Sequence, residues 1–370
     1  MSKIKLAFFG ISFICFLVNF WLIKSINFSF NVPEPGPSQL NLGSQKSLKI
    51  PMPNEKFAHS ATAIEIKDGI LLAYFAGDKE GAGNVKIYAN LIKNNGSSKS
   101  FLLLSRARLI KDAREYISRL GNPVLVKDGK EIYLFVVATT IGGWATSKIY
   151  QYRLSRSDLS MHFMGSLHLS AFMNLSHLVR TNAVALFFNN DSGFLLPIYH
   201  EGFVKFPMAL IFKNGKMIQK IQLSAQNGLI QPSIIARSKH NCMILYRNSA
   251  KNNVSFLQDC TSGFAKNQLQ KMKIQNFDSS QILIQVGEQI YMIYSKPGKI
   301  NNLYVPRKSI NIALINEQKD IKLDETKIPL GEMSYPAALV SNNFLHIFYT
   351  SDLRQIAYIK IPIIPIEQGK

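Results

Sequence analysis

The sequence predicts an all-β chain, a six-bladed β-propeller preceded by one N-terminal transmembrane helix. Three observations predict this. One pattern recurs six times: a polar residue, a small residue or proline, an apolar strand, a turn and a second apolar strand. The copies start at His59 (HSATAIEIKDGILLAYF), Gly121 (GNPVLVKDGKEIYLFVV), Arg180 (RTNAVALFFNNDSGFLLPIY), Gln231 (QPSIIARSKHNCMILYR), Asp278 (DSSQILIQVGEQIYMIY) and Gly331 (GEMSYPAALVSNNFLHIFYT). They recur roughly every fifty to sixty residues, and hairpins at such a period read as blades around one axis. Finally, residues 4–23 are, after Lys5, an apolar run broken by Ser12 and Asn19. About twenty residues at ~1.5 Å each cover ~30 Å, the thickness of a bilayer core.

Taken in order, residues 1–24 read as the membrane anchor. Lys3 and Lys5 keep the N-terminus cytoplasmic and place the rest of the chain in the periplasm or outside the cell. A cleaved signal peptide is the rival reading, and no small-x-small cleavage site stands out. Residues 25–50 include VPEPGPSQ, whose prolines suit a spacer rather than a helix or central strand. Residues 51–370 form the propeller, and LKIPMP (48–53) is expected to supply a strand that pairs with the last blade and closes the ring.

Within the first blade, a DG turn joins two alternating strands and leads into the charged loop GDKEGAG, where Asp78, Lys79 and Glu80 are candidate pocket residues. The second blade carries Trp144 in a loop, either a sugar-stacking face or a plug over the blade. The third brings His177, Arg180, His200 and Glu201 to blade ends. None has close metal-ligand spacing, so no metal or other cofactor is expected and polar contacts to a sugar are preferred. In the fourth blade, Cys242 and Cys260 lie on strands of one hairpin and face each other, able to bridge in an oxidising compartment. Arg247 ends one of those strands, and Arg307 precedes a strand of the fifth blade, where it can hold a carboxylate with parallel hydrogen bonds.

Equivalent positions in a propeller converge. His59, Asn122, Asn182, Gln231, Asp278 and Tyr335 are therefore expected to ring one central pocket. The chain has 370 residues, 47% of them apolar, with 43 basic against 23 acidic side chains. The surplus points to an anionic partner. The lysines are scattered and no nucleic-acid motif appears, which leaves an acidic glycan or polysaccharide rather than nucleic acid.

AHSATAIEIKDGILLAYFAGDKEG, GNPVL, IQPSI, the region of Arg307 and GEMSYPAALV with HIFYT together resemble the bacterial sialidase-like propellers, the BNR-repeat or Asp-box family, in its exported or anchored group. SRSDLSMHF (155–163) and QDCTSGF (258–264) resemble worn Asp-boxes, which are structural turns. The resemblance implies an exo-acting, retaining glycosidase. Tyr335 is the implied nucleophile, Glu332 or Glu201 its partner, and Asp78 the acid/base. Arg247, Arg307 and Arg180 are the implied anion-binding residues. The family's first arginine is replaced here by His59, at a cost of about 1.5–3 kcal/mol for one lost charge-assisted contact. Two other functions stay open: a non-catalytic carbohydrate-binding propeller in surface polysaccharide assembly, and a polysaccharide lyase using His59 or His200 with a tyrosine.

Overall fold

The structure is a computed structural model that describes residues 26–366, apart from 33–35, 171–173, 190, 251, 265–267, 316 and 318. It contains six antiparallel sheets in chain order. Blade one comprises Phe57–Ile66, Gly69–Gly77, Lys86–Lys93 and Ser98–Leu104, and blade two Arg119–Asp128, Glu131–Thr139, Lys148–Leu154 and Met161–Ser166. In blade three the innermost strand is split into His177–Val179 and Val184–Phe188, both paired with Asp191–Glu201 and followed by Lys205–Lys213 and Lys216–Gln222. Blade four comprises Leu229–Ala236, Asn241–Asn248, Val254–Thr261 and Gln270–Gln275. Blade five has two long strands, Gln289–Ile300 and Leu303–Leu314, between Gln281–Val286 and Asp320–Glu325. Met333–Ser341, Phe344–Ser351 and Gln355–Pro365 begin blade six. The innermost strands touch their neighbours all the way round, the last against the first, which makes the six sheets a closed wheel.

The apolar pattern explains the closure. Six hydrophobic clusters form, one at each junction between adjacent blades. Leu71 of blade one faces blade two, while its neighbour Leu72 faces blade six; both are fully buried. Strand alternation thus supplies both faces of a blade, and each such leucine contributes about 1.5–3 kcal/mol. The turns are legible residue by residue. Asn342 and Asn343 both take positive φ (50° and 59°), as a two-residue hairpin turn requires.

The expected fold class needs a correction. The all-β wheel is present, but among the described residues no helix is long and apolar enough to cross a membrane. The α-helix that is described, Arg106–Ala113, has eight residues and is rich in charge. Residues 4–23, where the span was expected, lie outside the described residues. The closing strand also differs in position. Ser38–Leu40 and Lys46–Leu48 pair with Gln355–Pro365, whereas residues 51–53 do not. Pro51 and Pro53 have no N–H to give to a ladder. Phe30 and Leu40, within the stretch read as a spacer, are buried in the wheel.

Cys242 and Cys260 are directly paired across adjacent strands and joined by a disulfide, with Cα atoms 4.8 Å apart.

Candidate functional site

A register shift recurs in the innermost strands. Two residues are left unpaired at Ser60-Ala61, Gly121-Asn122, Gln231-Pro232 and Tyr335-Pro336. In blade three the break widens to residues 180–183, between the two short strands. Such bulges re-aim side chains. Ser60, Gln231 and Tyr335 in these bulges, and Asp278 ahead of the blade-five strand, take positive φ, from 46° to 58°, a conformation that costs a non-glycine residue about 1–3 kcal/mol and concentrates at functional sites. The two-residue bulge is found in four of the six innermost strands, and the residues expected to ring the hub do not hold equivalent places in it. Tyr335 matches Gln231 and Ser60, His59 stands one place before its bulge, and Asn122 takes the second place. Small polar residues stitch the wheel here: Leu125 N donates to Thr62 Oγ1 at 3.1 Å, and Leu283 N to Ser233 Oγ at 2.9 Å.

Tyr335 is the centre of the cluster. The Arg180 guanidinium lies 5.0 Å from its ring centroid and that of Arg307 lies 5.9 Å away. Arg247 Nη1 donates to its phenol oxygen at 3.3 Å. The His59 ring packs against it at 4.2 Å between centroids. His59 is buried and its Nδ1 is 2.9 Å from Thr350 Oγ1. Burial, then Arg307, Arg180 and Arg247, hold its pKa well below the usual range, so His59 is neutral.

The three arginines are held differently. Arg247 Nε bonds Asp278 at 2.9 Å, and Arg307 Nη1 bonds Glu332 at 2.9 Å. Burial alone would lower the Arg247 pKa, but Tyr335 and Asp278 outweigh it and the net direction is upward. Arg180 has no described carboxylate partner. It is 1% exposed, with Nη1 on the Ala61 carbonyl (3.1 Å) and Nη2 on the Pro336 carbonyl (2.9 Å), so it ties the bulges of blades one and six from below Tyr335. Burial lowers its pKa to about 10. The other carboxylate oxygen of Glu332 accepts from Ser334.

Several expected residues lie apart from this cluster. Asp78 is exposed and 4.0 Å from Lys56. Glu201 pairs with Lys205 at 3.1 Å, and His200 stacks on Phe206 and bonds the Val204 carbonyl. Asn182 donates to the Ala338 carbonyl, Asn122 to that of Val179, and Gln231 to the Tyr199 hydroxyl. Trp144 closes over its own blade: a Cβ on Gly121 would stand 2.6 Å from its ring. Among the described residues no group of three or more His, Cys, Asp or Glu could hold a metal ion.

Glu80, two residues beyond Asp78, feels the charges of the cluster. Like Asp78 it is an exposed residue. Desolvation first and repulsion from Glu332 second raise its pKa, against Arg307 and Arg247. The sequence marked its loop but gave no means of choosing between two acids two residues apart. Thr350, the partner of His59, was missed, because a threonine ending a buried strand carries no signal of its own.

A family profile described as a BNR repeat-like domain matches residues 68–347. No curated protein matches the chain. Among solved structures, a Dyadobacter fermentans protein of unknown function is similar over 90% of this chain and 100% of its own, with 13% identity and a TM-score of 0.64. A Trypanosoma rangeli sialidase in complex with sialic acid is similar over 86% of this chain and 59% of its own, at 8% identity and TM-score 0.59. A Hadza microbial sialidase aligns over 84% of this chain and 66% of its own, at 12% identity and TM-score 0.58. The chain thus spans little more than half the length of the Trypanosoma enzyme.

Proposed function

Since the chain belongs to the BNR repeat-like domain family, we propose that it is a retaining, exo-acting glycosidase for an acidic glycan, with its chemistry centred on Tyr335. The observation that carries this reading is the convergence of Arg180, Arg247, Arg307 and His59 on one tyrosine in a left-handed backbone. The sialidases of similar fold support it.

In this reading the Tyr335 oxygen attacks the anomeric carbon and its proton passes to Glu332. Glu332 is preferred over Glu201 because it bonds the arginine lying against the tyrosine ring, whereas Glu201 is held by Lys205. As the bond to the leaving oxygen breaks, Glu80 protonates that oxygen; its raised pKa suits the task, whereas Asp78 lies beside Lys56. Water then attacks the same carbon and gives its proton to Glu80, and Tyr335 leaves and recovers its proton from Glu332. Three guanidiniums against Asp278 and Glu332 leave one positive charge when Glu80 is protonated, which suits one substrate carboxylate. The Cys242–Cys260 bridge supports an oxidising location outside the cytoplasm.

The test is release of fluorophore from 4-methylumbelliferyl glycosides of acidic sugars. Turnover by the wild type is expected, with at least a hundredfold loss in Tyr335→Phe; activity unchanged in that variant would refute the mechanism. A second reading, non-catalytic glycan binding, is favoured by one observation: among the described contacts the phenol oxygen meets an arginine and no carboxylate. It is distinguished by retention on acidic glycans, lost in Arg307→Ala, without turnover of any glycoside.

A further inference from the structure

We propose that the junction between blades six and one carries a second binding site, for an amphiphilic anion: a medium-chain carboxylate with its charged head among lysines and its hydrocarbon body against the sheets. A cavity of about 440 Å³ opens there, within the roughly 300–1,000 Å³ of small-molecule sites. Asn342, just past the first strand of blade six, and Asn94, just past the third strand of blade one, both line it. Asn342 Nδ2 donates to Asn94 Oδ1 at 3.3 Å, so the two turns meet beside it. Tyr335 stands near the other end of Met333–Ser341, on the opposite face of the wheel.

The lining divides into two halves. Lys49, Lys93 and Lys360 are its charged residues, and no acidic residue lines it. Lys360 Nζ lies 3.7 Å from the centroid of the Phe344 ring, and its charge acts on the buried His346; both rings line the cavity. Lys46 stands directly opposite Lys360 on the neighbouring strand, an arrangement in which like charges repel. Among the described residues none of these four lysines has a carboxylate partner. Two acids lie close by without lining the cavity. Glu65 accepts from the Ser341 hydroxyl, and Asp68, whose carbonyl takes the Asn94 N–H, has Lys67 beside it in the chain. The balance around the cavity is therefore positive, and an anion relieves it. The Ser98 hydroxyl oxygen, also in the lining, is buried with no partner among the described residues. It offers the head group a donor. The other half is aliphatic: Leu48, Ile50, Ile70 and Ile92. The rings are already engaged, Phe344 by the Lys360 ammonium and Tyr358 by Phe348 and His346, with 4.6 and 5.8 Å between centroids. A hydrocarbon body suits these walls better than a sugar ring, which needs a free aromatic face.

The experiment displaces 8-anilinonaphthalene-1-sulfonate from the full chain with decanoate. Saturable displacement at one site per chain is expected, and it should persist in Arg307→Ala, which weakens the arginine cluster on the other face. n-Decanol, which keeps the body without the charge, and acetate, which keeps the charge without the body, should each bind at least tenfold more weakly. Lys93→Glu and Leu48→Asp each put a negative charge at an exposed position of the lining, where the fold tolerates it. Each should weaken decanoate about tenfold, the scale of one charge-assisted contact. No displacement by decanoate, equal binding of decanol or acetate, wild-type affinity in either lining variant, or loss of the site in Arg307→Ala would each overturn the assignment.

Discussion

Glu80 and the buried histidines set the pH behaviour at the scale of single residues. Desolvation and Glu332 raise the Glu80 pKa, so its acid form persists to higher pH than an ordinary carboxyl. As the proposed general acid it makes kcat/KM fall as pH rises through that pKa. Glu80→Gln should abolish this alkaline limb and reduce turnover of substrates with poor leaving groups most; an unchanged limb would move the role elsewhere. Stability has the opposite dependence. Burial holds His177 and His346 at about 4, below the ordinary 6.5. Between these values the unfolded chain binds more protons, so stability falls as pH drops from about 6.5 towards 4. The shift amounts to roughly 3 kcal/mol per histidine. His346, held by the Tyr358 hydroxyl and the Ser341 carbonyl, offers the cleaner test. In His346→Gln the decline in Tm between pH 7 and 5 should be shallower than in the wild type.

At the scale of the strand, the bulges decide where side chains go, and they divide what the sequence revealed from what it hid. Hairpins, turns and the pairing of Cys242 with Cys260 follow from apolar alternation, from Asn and Gly at turn positions and from symmetric spacing within a hairpin. A bulge leaves no comparable mark. Pro232 and Pro336 occupy matching places in their bulges, but blade one has Ala61 there and blade two Asn122. The equivalence of His59 with Tyr335 was consequently off by one residue. Arg180 was legible as a blade-end arginine, but not as a buried tie between two other blades, because its partners are backbone carbonyls of residues far away in the chain. Gly121 gives this scale its prediction. With the Trp144 ring 2.6 Å from the place of a Cβ, Gly121→Ala should destabilise by about 1–3 kcal/mol. Trp144→Leu in the same chain should recover part of the loss, measured by denaturant unfolding.

For the whole molecule, stability depends on the junctions between blades, since each of the six clusters draws residues from two neighbouring sheets. The last junction is completed from both ends of the described chain, by Ser38–Leu40 and Lys46–Leu48 against Gln355–Pro365. A chain beginning at residue 50 leaves that strand as an open apolar edge. It should melt at lower temperature and self-associate on size exclusion, and addition of a peptide spanning residues 36–50 should reverse part of both effects. Equal Tm and a monomeric profile would show that the edge needs no cover.

This clasp also imposes an order on biogenesis. Blades one to five can each assemble from contiguous chain as it emerges, at roughly 5–20 residues per second. The segments around Leu40 and Ser47 appear early and have no place to dock until Ile359 and Ile363, near the other end, have been synthesised. Until then the ring has a gap, which closes when the early-made strands Ser38–Leu40 and Lys46–Leu48 meet Gln355–Pro365.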